Sequence, residues 1–70
     1  MTAISAHKIM FHGGPHDGDI KTVVTRLERF WRTTHPNDDS LYKGPCQREN
    51  ERALYIRIIG TNNYGFSGIV

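Results

Sequence analysis

The chain has 70 residues and a formal net charge of +2, with 37 % hydrophobic and 23 % charged residues. That is one small domain over 1–70 with a thin core, and it leaves little room for a deep substrate pocket. The single cysteine, Cys46, excludes an intramolecular disulfide, and the mild basic excess excludes an acidic mimic of DNA.

The first residues, Met1 to His7, carry no apolar signal core, and no apolar run reaches the roughly 18 residues of a membrane span. Residues 8 to 13, Lys-Ile-Met-Phe-His-Gly, read as a strand bounded by glycine. The next run contains Gly13, Gly14, Pro15, His16, Asp17 and Gly18. Pro15 fixes its own φ and biases Gly14 toward extended backbone, Asp17 can bond nearby backbone, and Gly18 tolerates positive φ. These residues predict a tight structural turn, a type I turn with a glycine bulge, joining two antiparallel strands.

From Ile20 to Thr34 two readings compete. Ile20, Val23, Val24, Leu27, Phe30 and Trp31 fall on a helical stripe that Asp19 could cap. The β-branched run Thr22-Val23-Val24-Thr25 and the aromatics favour strands instead. Periodicity leaves both open, so the fold expected is mainly β, a small antiparallel sheet of two hairpins, or α+β with one helix within 21–33.

Residues 35 to 40 form a polar loop, and Leu41-Tyr42 begins a short strand stopped by Gly44-Pro45. Ala53 to Ile59 is the clearest strand, with Leu54, Ile56 and Ile58 on one face and Tyr55, Arg57 and Ile59 on the other. A turn over 60–63 returns the chain through Tyr64 to Val70, with Tyr64, Phe66 and Val70 sharing a face. The core expected from these elements is Phe11, Trp31, Ile56, Ile58 and Phe66.

The run Phe11-His12-Gly13-Gly14-Pro15-His16-Asp17-Gly18 resembles the opening of a group of small uncharacterised bacteriophage and prophage proteins that share a His-Gly-Gly-Pro-x-Asp-Gly motif. Leu41-Tyr42, Leu54-Tyr55-Ile56 and Tyr64-Gly65-Phe66 are similar in kind to that group's Tyr-rich strand pairs. The specific match covers about seven residues. The resemblance implies a phage origin, a place in the host cytoplasm or the virion, and a mostly β fold; it implies no activity and no cofactor.

Several chemistries fit individual residues. His12 and His16 are spaced to supply two metal ligands, with no second pair to complete a zinc site. The Gly13-Gly14-Pro15 run lacks the spacing of a phosphate loop, and Pro15 removes a backbone donor. Cys46 has no nucleophile signature around it, and Glu28, Glu49 and Glu51 lie in charged runs without a paired carboxylate, so the chain reads as non-enzymatic.

Two binding readings remain. Protein binding, to a host or phage protein or to a second copy of the chain, would use Tyr42, Tyr55, Arg57 and Tyr64, types common at interface hot spots. Nucleic-acid binding would use Lys21, Arg26, Arg29, Arg32 and Trp31, cations interleaved with an aromatic. Arg48, Arg52 and Arg57 form a second basic cluster.

Overall fold

The computed structural model describes residues 6–45 and 50–69. Five strands form one curled sheet, a half-barrel: β1 (His7–His12), β2 (Ile20–Val23), β3 (Arg29–Thr33), β4 (Arg52–Arg57) and β5 (Asn63–Ile69), in the order β2-β1-β5-β4-β3. No helix occupies 21–33. The β-branched residues enter β2, the chain bends through Val24 to Glu28, and Phe30 and Trp31 enter β3. The helical stripe yields to the β-branched preference for a pleated surface.

The sheet is also more than two hairpins. β1 and β2 pair antiparallel, β3, β4 and β5 run as a meander, and β5 then lies parallel to β1, with Phe11 opposite Tyr64. Leu41-Tyr42 adds a bridge at the outer edge of β3. Trp31 and Tyr42 exchange two backbone hydrogen bonds of 2.9 and 2.8 Å. A register shift opposite Leu54 and Tyr55 leaves Ser67 between the pairs Tyr55–Phe66 and Leu54–Gly68. Gly68 takes a φ of +122° there, a conformation that suits a bulge and disfavours any residue with a Cβ.

The inner face carries the core: Ile9, Phe11, Phe30, Ala53, Tyr55 and Tyr64 are all buried. Its rings meet edge-on or tilted, Phe11 against Tyr55 at 4.8 Å and Phe30 against Tyr64 at 5.3 Å. Val23, Leu27 and Leu41 close it from the loops. The expected core is therefore corrected. β4 turns Ala53 and Tyr55 inward and leaves Leu54 and Ile56 on the outer face; Ile56 is 40 % exposed and Ile58 is 49 % exposed. Trp31, opposite Leu54, is on that outer face too and only half-buried. Phe66 does face inward but stays at the rim. The aromatic face wins because each tyrosine buries a large ring and still finds a backbone acceptor for its hydroxyl. Cys46, Arg48, Glu49 and Val70 lie outside the described residues.

The two outer strands, β2 and β3, are joined by side chains rather than by a ladder. Arg32 on β3 reaches Asp19, just before β2, at 2.6 Å, and Lys21 on β2 reaches Asp39 at 3.3 Å.

Candidate nucleic-acid interface

The glycine-rich turn closes one end of the half-barrel. Gly14–His16 forms a single 3₁₀ turn, entered through Gly13 at φ +81° and Gly14 at φ +64°. The extended geometry expected for Gly14 is not adopted; both glycines sit where L side chains are strained. Asp17 Oδ1 accepts from the Gly13 N–H at 2.7 Å and holds the turn shut.

His16 is buried. Its backbone N–H donates to the Tyr55 hydroxyl at 3.0 Å, and that hydroxyl donates to Gly13 O at 2.7 Å. His16 Nε2 lies 2.9 Å from Thr33 O; a carbonyl only accepts, so this nitrogen carries the proton. Burial holds the His16 pKa below its ordinary value, against the opposing pull of that carbonyl. His12 instead points to the outer face, where Nε2 meets Asn63 Oδ1 at 3.1 Å. The two histidines therefore do not converge. Among the described residues no group of three or more His, Cys, Asp or Glu is arranged to hold a metal, so the two-histidine zinc reading is withdrawn.

Arg32 is fully buried. Besides Asp19, it donates from Nε to Ser40 O at 3.2 Å and from Nη2 to Asp38 O at 3.1 Å, and its guanidinium lies 4.9 Å from the Phe11 ring centre. A buried charge is tolerated when paired and hydrogen-bonded like this. The Arg32 hydrogen bond pulls the Asp19 pKa below its ordinary value. The Ser40 backbone N–H acts the same way on Asp38.

These contacts sort the residues singled out from the sequence. Tyr55 and Tyr64 are buried, and desolvation raises both hydroxyl pKa values. Tyr64 donates to Leu27 O. Neither offers a surface to a partner. Arg57 lies on the inner-face side of β4 and donates from Nε to Thr61 O at 3.0 Å, bracing the β4–β5 turn. Arg32 and Lys21 hold the seam between the outer strands, and Arg26 is tied to Asn62 Oδ1 at 2.7 Å. Arg29, Trp31 and Tyr42 remain, and the register brings them onto one face.

That face is the outer one. Its rows read Tyr42–Trp31–Leu54–Gly68, then Arg29–Ile56–Gly65–His12, with Thr33 and Arg52 at one side. Asn63, Met10 and Ile20, then Lys8 and Thr22, complete it on the other. It joins two aromatics to Lys8, Arg29 and Arg52, of which Arg52 also donates to Pro45 O at 3.4 Å, and none of its strand positions is a carboxylate. The described acids instead sit in turns and loops at Asp17, Asp19, Glu28, Asp38, Asp39 and Glu51. Arg29 is exposed and pairs with no described residue. Lys8 has no sequence signal that singles it out, and Arg52 reads in the sequence as part of a separate basic cluster with Arg48 and Arg57. Only strand alternation combined with the register between β1, β5 and β4 reveals them.

Comparison with known proteins returns no match: no family model, no curated protein and no solved structure is similar to this chain.

Proposed function

We propose that this protein is a small, non-enzymatic nucleic-acid-binding domain, of the accessory kind that phages encode, and that it binds with the outer face of its sheet. The observation that carries the reading is the composition of that face: Trp31 and Tyr42 side by side, flanked by Arg29 and Arg52, with Lys8 farther off on β1 and no carboxylate on the strands. A cationic face attracts phosphates, and aromatics within it give bases something to stack on. The net charge of +2 understates this polarity, because the described acids lie in turns and loops, where Asp19 and Asp39 pair with Arg32 and Lys21.

The test is a titration of labelled nucleic acid at several salt concentrations. Three phosphate contacts give a slope of log K against log salt between about −2 for single strands and −3 for duplex. Arg29→Glu should weaken binding and flatten the slope. No binding at low salt, with the protein folded, refutes the reading.

A second reading is protein docking. It rests on the apolar tip beyond β4, where Ile59 is 96 % exposed beside Ile58. Its signature would be a stoichiometric partner, recovered from nuclease-treated lysate and lost with Ile59→Ser.

A further inference from the structure

The outer face has a geometry as well as a charge, and the geometry discriminates between kinds of nucleic acid. Five strands at about 4.8 Å spacing make a face close to 20 Å across, whereas the major groove of duplex DNA is about 12 Å wide and admits one helix or a two-stranded ribbon. The face belongs to a curled sheet and bulges outward, so it cannot follow a duplex as a cleft would.

Its middle is bare. Gly65 lies between Ile56 and His12, and Gly68 continues the row of Tyr42, Trp31 and Leu54. A Cβ built on either glycine meets no heavy atom within 4 Å, so this strip of backbone is open to whatever approaches. Glycine weakens a strand interior and often marks a place where something comes close to the backbone. Gly68 is explained by its positive φ, whereas Gly65 has no such requirement and no crowding. Nothing in the fold asks for glycine at 65, but flat access to the sheet does.

Resting on the nucleic-acid reading above, we infer that the ligand is an unpaired single strand, whose bases lie on Trp31, Tyr42 and the bare Gly65 strip while its phosphates meet Arg29, Arg52 and Lys8. A base can stack on an aromatic ring only when its own face is free, which a duplex does not offer. Stacking serves every base, so binding is tolerant of sequence.

Trp31 is the chain's one tryptophan, so its fluorescence reports on the site. The experiment titrates the intact chain with a mixed-sequence 15-nucleotide single strand and, separately, with the same sequence as a duplex. It is run on the native chain and on Gly65→Val, Trp31→Ala and Trp31→Phe, with the anisotropy of an end-labelled strand as the affinity readout for all four and Trp31 quenching as a second readout where the tryptophan is present. Gly65→Val is the central variant, because a β-branched residue at an uncrowded strand position should hold or raise the melting temperature. The expected result is quenching of Trp31 by the single strand, at least tenfold preference over duplex, and a loss of about tenfold in Gly65→Val. Trp31→Ala should lose a similar factor, the worth of one stacked base, and Trp31→Phe should recover most of it. Equal binding of both forms, unaffected by Gly65→Val, overturns the single-strand inference and leaves the charge-based reading standing. No binding of either form overturns both.

Discussion

Gly14 and Gly18 offer a matched pair of substitutions in one turn. Both have positive φ, +64° and +81°, so alanine at either position carries a backbone penalty of about 1–2 kcal/mol. Their surroundings differ. A Cβ on Gly18 meets nothing within 4 Å, whereas one on Gly14 falls 2.5 Å from Phe66 Cδ1 and 2.6 Å from Phe66 Cγ. Because Cγ lies at the root of the ring, the whole side chain has to swing away. Phe66 is 36 % exposed and packs on Tyr55 at 5.5 Å, so displacing it forfeits part of a buried ring, about 1–2 kcal/mol. Gly18→Ala should therefore cost about 1–2 kcal/mol and Gly14→Ala about 2–4 kcal/mol. Urea unfolding measures both. Repeating the pair in a Phe66→Ala background should bring the Gly14 cost down to the Gly18 value. Equal costs in the native background, or a gap that persists without the Phe66 ring, would refute the collision argument.

Other substitutions probe the buried network. Tyr55→Phe removes the hydroxyl that joins the His16 N–H to Gly13 O, and unfolding should show a loss of about 1–3 kcal/mol. Arg32→Met leaves Asp19 with only Lys21 at 4.0 Å as an ion-pair partner and strands the carbonyls of Asp38 and Ser40; partial exposure of Asp19 softens the effect, so about 2–3 kcal/mol is expected, with nucleic-acid binding at a folded temperature unchanged. Because the His16 pKa is lowered on folding, the unfolded chain binds the proton more tightly. Its stabilising effect is complete above the unfolded pKa of about 6.5 and is lost as pH falls through the lower folded value. Urea midpoints should thus drop from pH 7.5 to pH 5, and His16→Gln should flatten that slope; an unchanged slope would remove His16 as its source. Lowered Asp19 contributes a further loss only below about pH 4.

The sequence was most informative where period and punctuation agree. Alternation over 53–59 and the polar turn after it locate β4 and β5, although β4 ends at Arg57 and the turn already begins at Ile58, and Gly44-Pro45 follows the short bridge at Tyr42 as expected. Over 20–31 the apolar spacing fits a helix as well as two strands broken by a turn, and only tertiary pairing decides between them. Hydropathy points the wrong face of β4 inward, because Leu54, Ile56 and Ile58 are more hydrophobic than Ala53, Tyr55 and Arg57. The core is instead filled by rings whose hydroxyls reach carbonyls far away in sequence. Burial of His16 and Arg32 was illegible for the same reason: their partners Tyr55, Thr33 and Asp19 belong to other elements. Of the arginine and aromatic cluster, Arg29 and Trp31 reach the common face. Tyr42, drawn from the protein-binding set, joins them because the β3 edge pairs with it.

The parallel pairing of β1 with β5 bears on how the molecule assembles. Met10 rests against Asn63, and Phe11 against Tyr64, so the strand at the middle of the sheet is the last to be made. On a ribosome, the β1–β2 hairpin and the β3–β4 hairpin each expose one side of an unfinished aromatic core until residues 63–69 emerge and join them. Closing so long a loop before its contacts form slows folding, and the waiting hairpins present open edges meanwhile. Completion is then a single late event rather than a gradual accretion.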